Sequence, residues 1–171
     1  FAIFQPFIGL LADRYNRKTM MVITNIAQVF LALGFIFVDS ASDVPWMIGL
    51  SGLMMLLHGT YMTAERAAIP NVVSPQNLTT ANALDAASWS TALCVGALLG
   101  GVVVSYWGTD AAFIIDSATF ALGTILLIPV KIKQNIGDDM KAPLFKTAFT
   151  NIKRGWLRVY TESRLLRIVF A

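Results

Sequence analysis

The 171-residue chain is 56% hydrophobic and only 13% charged, with a mean hydropathy of +0.65 and a formal net charge of +3. A water-soluble domain carries about a quarter charged residues, so this composition excludes an ordinary soluble globule and points to lipid as the solvent. The single cysteine, Cys94, excludes a disulfide framework and a thiolate metal cluster.

In chain order, the opening apolar run 1–12 is too short to cross a hydrocarbon core, which needs about 20 helical residues. It reads as the second half of a span, and with no basic n-region or cleavage site it does not read as a signal peptide. Four stretches are then long enough to span: 19–38, 44–64, 86–107 and 111–130. Helix is the state expected for each, because unpaired backbone groups in lipid cost several kcal/mol and the alternation of a membrane strand is absent. The short connectors Asp39-Ser40-Ala41-Ser42-Asp43 and Gly108-Thr109-Asp110 alternate with longer basic ones. Ser74-Pro75-Gln76-Asn77 has the form of an N-cap with proline at the first helical position. It predicts a short interfacial helix leading into the span that starts near Ala86. Beyond Val130 comes a polar stretch, 131–143, and then an amphipathic helix with Phe145, Phe149, Ile152 and Trp156 on one stripe; residues 165–171 turn apolar as another span would. The expected fold is an all-α polytopic membrane helical bundle, with 1–130 as the bundle and 131–171 as a cytoplasmic loop region leading into the next helix.

With spans placed this way, all thirteen Lys and Arg residues fall on one side, from Arg14, Arg17 and Lys18 through Arg66 to those from Lys131 onward. That side is expected to be cytoplasmic. Trp46, Tyr106 and Trp107 fall at the proposed outer boundary, where interfacial aromatics collect.

The most informative segment is Gly9-Leu10-Leu11-Ala12-Asp13-Arg14-Tyr15-Asn16-Arg17-Lys18, set between an apolar half-span and a full span. Its chemistry is readable directly. Gly9 permits close helix approach, Asp13 can accept from amides at a neighbouring helix start, and Arg17 can pair with a carboxylate such as Glu65. The segment resembles the G-x-L-A-D-R-x-G-R-K loop between the second and third helices of major facilitator transporters. It departs only at Asn16, which stands where glycine is usual; asparagine is the next most tolerant residue of a left-handed backbone.

In the third full span Ser88, Ala92, Gly96 and Gly100 recur every four residues, a small-residue ridge of the kind that lets two helices approach closely. Gly96-Ala97-Leu98-Leu99-Gly100-Gly101 resembles the G-P-x-x-G-G antiporter signature of facilitator exporters, with Ala97 in place of the proline. Ala68-Ile69-Pro70-Asn71-Val72-Val73-Ser74-Pro75, Ala81-Asn82, Ala112-Phe113-Ile114-Ile115-Asp116 and Gly155-Trp156-Leu157 resemble segments of the exporter branch that contains macrolide efflux and siderophore export proteins. The arginine that many proton-coupled exporters carry in the fourth helix has no counterpart in 44–64.

Ionisable residues within spans mark functional sites by default. Asp116 lies near the outer end of its span, with Thr119 and Gly123 on the same face. It reads either as a proton-loading carboxylate or as one that reaches the interface or caps a neighbouring helix. His58 shares a face with Ser51, Tyr61 and Glu65, and reads either as a proton carrier or as a neutral histidine hydrogen-bonded in the bundle. Glu65 either meets Arg17 or is solvated.

The resemblance implies helices two to six of a twelve-helix transporter in the plasma membrane, working by alternating access against a C-terminal half. It would export an amphipathic small molecule, such as a drug, macrolide or siderophore, against a proton gradient. Uptake of a polar nutrient is the alternative within transport. A membrane-embedded enzyme pairing His58 with Asp116 is disfavoured because the two are expected toward opposite faces. The membrane domain of an ATP-driven pump would need a phosphate-binding loop, and no G-x-x-x-x-G-K-[ST] occurs. Neither enzymatic chemistry, a cofactor, a metal nor a nucleic-acid partner is expected; solute, protons and membrane lipid are.

Overall fold

The computed structural model describes residues 8, 9, 11 and 15–132. Asp13 and Arg14, the amphipathic segment and the closing apolar turn lie outside the described residues. Within them the chain forms three helices, α1 (Arg17–Gly34), α2 (Val44–Val72) and α3 (Leu78–Leu127), and no strand.

Helix α1 begins at Asn16, whose side-chain oxygen accepts from the Thr19 N–H at 3.2 Å. Asn16 itself is extended, at φ −62° and ψ 117°. The left-handed backbone expected there gives way to an N-cap, the other role for which asparagine is suited. At the far end α1 tightens into a 3-10 turn, Phe35–Phe37. The polar connector then folds on itself: the Ser40 N–H and hydroxyl donate to the Asp43 carboxylate at 3.1 and 2.7 Å. These bonds, the hydroxyl's foremost, hold the Asp43 carboxyl below the usual carboxylate range. Pro45 follows in the first turn of α2, where a missing N–H leaves no helical bond unmade.

The apolar stretch ends at Ala64, but α2 runs on to Val72. Glu65 and Arg66 change the surrounding solvent, not the backbone ladder. Pro70 sits in the final turns without an N–H for the Arg66 carbonyl, and the helix stops at the extended Val73. The expected interfacial helix is reduced to a 3-10 turn, Pro75–Asn77, without a side-chain bond from Ser74. Helix α3 starts at Leu78 and passes Ala86 unbroken, so the helix begins eight residues before the apolar stretch does.

Fifty residues of straight helix would measure about 75 Å, more than twice the hydrocarbon thickness. The bend falls on Gly108, at φ 83° and ψ 176°, and divides α3 into two limbs. The three-residue connector expected at 108–110 therefore contracts to one residue. That backbone conformation is essentially restricted to glycine, at about 1–3 kcal/mol for other residues. Gly108→Ala is expected to lower the melting temperature of the purified full-length protein by several degrees. A Cβ there meets nothing within 4 Å, so the cost is purely conformational. Gly101→Ala, at an equally open helical site, should hold or raise it. Equal melting of the two variants would remove the strain from Gly108.

Helix α1 packs on both α2 and α3. Phe35 stacks on Phe113 with ring centroids 5.1 Å apart, and the Ser117 hydroxyl donates to the Val29 carbonyl at 3.2 Å. A Cβ on Gly123 would stand 3.4 Å from Asn25 Nδ2, so this glycine admits the asparagine. The interior is mostly small or polar: Ala32, Ala64, Ala68, Thr24, Asn25, Gln28 and Ser117 are buried, and Ile8, Met21 and Leu50 are the larger apolar side chains buried with them among the described residues. Large apolar side chains such as Ile23, Phe30, Ile48, Leu98 and Leu126 face outward. That inversion suits a lipid solvent, where helices gain by close backbone approach and interhelical polar contacts rather than by hiding leucines. Arg17–Phe37 and Pro75–Leu127 are each long and apolar enough to cross a membrane.

Candidate functional site

The basic end of the glycine-led loop ties three helix ends together. Arg17 Nη1 donates to the Ala67 carbonyl in α2 at 2.5 Å, and Lys18 Nζ donates to the Ile128 carbonyl at 2.5 Å. Ile128 is the C-cap of α3. The Ile128 carbonyl, at a helix end, lacks an intrahelical donor and carries the negative end of the dipole, where cations settle, while the Ala67 carbonyl lies five residues before the end of α2 and takes Arg17 as an added donor. The Ala67 carbonyl stands next to the turn that Pro70 loosens. Lys18 was expected only as a loop cation; its reach to residue 128 has no signal in the sequence. Glu65, expected opposite Arg17, lies two residues from Ala67, about 200° around the helix. In the described residues Arg17 meets a backbone carbonyl on α2 instead. Gly9 has open space around its Cβ position in the described residues.

Glu65 turns toward the first limb of α3. With Arg66, Asn82 and Asp85 it lines an open cleft of about 590 Å³. Asp85 is a carboxylate that sequence reasoning passed over because it precedes the span assigned from hydropathy. Ser88 and Ala92 border the same cleft, while Gly96, Gly100 and Gly101 have nothing within 4 Å of their Cβ positions. Among the described residues the Gly96 and Gly100 part of the ridge thus carries no packed helix. The limb runs unbroken through Ala97, as the missing proline implies. It meets α2 through Trp89, whose ring centroid lies 5.6 Å from that of His58.

A second cleft, of about 450 Å³, opens between α1, α2 and the second limb of α3. Gln28, Ser51, His58 and Asp116 supply its polar groups, and Phe35, Met54, Met55 and Phe120 its apolar walls. His58 and Asp116, expected toward opposite faces, therefore border one cleft. Asp116 is eight residues past the Gly108 bend, about 12 Å along the axis, and His58 fourteen residues from Val44, about 21 Å. The cleft bridges that difference of one to two turns. Thr119 donates its hydroxyl to the Asp116 carbonyl at 2.7 Å and leaves the carboxylate untouched. Sequence reasoning missed Gln28, which is 1% exposed and whose Oε1 has no hydrogen-bond partner among the described residues. The signal was a polar run, Thr24, Asn25 and Gln28, in an otherwise apolar span. The described residues hold no group of three His, Cys, Asp or Glu side chains able to take a metal.

A helical bundle with mostly small and polar residues inside, many large apolar ones outside and two helices long and apolar enough to span is an integral membrane protein. The whole chain, residues 1–171, matches the Major Facilitator Superfamily, and it belongs to that family. It is 24% identical over 98% of its length to the putative bacilysin exporter BacE of Bacillus subtilis, covering 41% of that protein. It is 32% identical over 72% of its length to a homologue of the multi-drug resistance efflux pump PmrA from Lactococcus lactis, covering 29%. With PmrA of Streptococcus pneumoniae it shares 27% over 91% of its length, covering 38%. The chain thus spans less than half the length of these relatives. No solved structure matches it significantly.

Proposed function

We propose that the protein of which this chain is a part exports an amphipathic small molecule by alternating access, driven by a proton gradient and without covalent chemistry. The observation that carries the reading is that the relatives matching over most of the chain are named as exporters and efflux pumps. The cleft bearing Asp116 and His58 supports it, because a mixed polar and apolar wall suits an amphipathic solute. Asp116 and His58 are the candidate proton-coupling groups, and the Gly9, Asp13, Arg14, Arg17 and Lys18 loop is the switch. Substrate passes between this bundle and a C-terminal half, in the plasma membrane. The basic loop and the region from Lys131 onward face the cytoplasm.

The test is extrusion by the intact protein in an efflux-deficient host, with and without a protonophore. Extrusion that survives collapse of the proton gradient would overturn the coupling, and no extrusion of any amphipathic solute would overturn the export reading. For sidedness, single cysteines at Ser42 and Thr109 are expected to react with an impermeant reagent from outside intact cells, and one at Asp138 only after lysis. Labelling of the Asp138 site from outside would invert the topology.

A further inference from the structure

We infer that His58 and Trp89 form a pH-responsive clasp between α2 and the first limb of α3, closed when His58 is protonated and released when it is neutral. The inference stands apart from the export reading, because it concerns this helix pair with no solute bound.

Helical spacing lays out the two facing surfaces. On α2, Met62 and Glu65 follow His58 by four and seven residues and so share its face. On the first limb, Asp85 and Asn82 precede Trp89 by the same steps. The His58 and Trp89 rings meet with centroids 5.6 Å apart and planes 31° from parallel. The short link 73–77 turns the chain back on itself, so Glu65 falls opposite Asp85 and Asn82, and all three line the open cleft of about 590 Å³ with Met62 and Trp89. The ring pair stands at one end of that cleft, about 10 Å along α2 from Glu65. Among the described residues no hydrogen bond or ion pair bridges α2 and this limb. The Thr60, Thr63 and Ser90 hydroxyls donate to the Leu56, Gly59 and Ala86 carbonyls of their own helices.

Two forces across the cleft change with pH, and both act in one direction. An imidazolium is drawn to the face of an indole within about 6 Å, whereas a neutral imidazole has no charge to be drawn. Glu65 and Asp85 repel each other when both are ionised, and Arg66 offsets that repulsion in part. Burial foremost, with the Asp85 charge behind it, pushes the Glu65 carboxyl up, so mild acid relieves the repulsion. Acidification therefore draws the helices together, and alkaline pH parts them. Asp116 faces His58 across the other cleft, but no ion pair joins them among the described residues, and the indole is already in ring contact. The groups that α1 adds to that cleft, Gln28 and Phe35, are uncharged.

The test uses purified full-length protein in nanodiscs without solute, titrated from about pH 8 to about pH 5, the window in which histidine changes charge. One readout is Trp89 emission, taken as the wild-type spectrum less that of Trp89→Phe, because an imidazolium against an indole quenches it. The other is the distance between spin labels at Cys94 and at Leu53→Cys, on a background with no other cysteine. Both positions are exposed, and both lie beyond the ring pair from the link 73–77. Acidification is expected to quench Trp89 and to lower the ratio of long to short distances at least about threefold. His58→Gln should abolish the quenching, whereas Glu65→Gln should keep it and favour the short distance already at the alkaline end. Quenching that survives in His58→Gln, or quenching in wild type without a change in distance, would overturn the clasp. Should His58→Gln fail to fold, His58→Arg keeps a cation at every pH and is expected to hold the short distance throughout; a long distance at the alkaline end in that protein would overturn the clasp as well.

Discussion

Arg17→Ala is expected to lower transport by the full-length protein at least tenfold, and to lower its melting temperature. The Arg17 guanidinium donates to the Ala67 carbonyl across 2.5 Å and 50 residues of chain, joining the start of α1 to the last turns of α2. Hydrogen bonds with a charged partner contribute about 1.5–3 kcal/mol, and this one is part-buried, which limits its screening by solvent. Alternating access requires helix ends on one side of the bundle to separate and close again, so a bond made in only one state biases the equilibrium by its full worth. The neighbouring Lys18 bond to the Ile128 carbonyl is exposed and belongs at the low end of the range, so Lys18→Ala should act in the same direction but more weakly. Asp13→Asn, in the same loop, is expected to act as Arg17→Ala does. Transport rate per folded molecule, read beside thermal unfolding, checks this. Wild-type transport by a destabilised Arg17→Ala protein would make the bond a structural staple present in every state.

The loop shows what a sequence can and cannot disclose. Its residue types dictate that cations gather at one end of the bundle, and helix C-termini are where cations settle. Which carbonyl each cation finds depends on helix phase and on the level at which α2 and α3 stop. Hydropathy is blind to both. It ended the second span at Ala64 because Glu65 and Arg66 are hydrophilic, yet the backbone ladder carries α2 to Val72 and brings Ala67 within reach of Arg17. The same blindness placed a connector at 108–110, where the chain needs only one residue with a glycine-restricted backbone.

The cleft was legible in part for a related reason. Asp116 and His58 stand out because charge is rare in spans. Gln28 is uncharged and does not interrupt the apolar run, although its burial makes it the more constrained group. That all three border one cleft follows from how α1 packs between its neighbours, through Ser117 on Val29 and Gly123 on Asn25. Contacts between positions nearly a hundred residues apart leave no local pattern to read.

Asp116→Asn is expected to reduce proton-driven accumulation at least tenfold, while His58→Gln keeps most of it. The substitution at Asp116 preserves the shape of the side chain and its capacity to hydrogen-bond, and removes only the group that can exchange a proton. Asp116 borders a cleft between the helices, and a coupling carboxylate requires such a recess for its proton to arrive and leave. His58 is half-buried and its ring rests beside Trp89, an arrangement in which glutamine supplies a comparable apolar stem and polar end. The decisive measurement compares two modes in proteoliposomes at saturating solute, so that weakened binding is not mistaken for uncoupling. One mode is uphill accumulation under an imposed pH gradient, and the other is downhill movement with no gradient. Loss of the first with retention of the second is the expected signature of Asp116→Asn, since the protein can still change shape but no longer carries the proton that makes the change directional. Full uphill accumulation in Asp116→Asn would return Asp116 to an interfacial or capping role. A His58→Gln protein with the larger defect would move the coupling from α3 to α2.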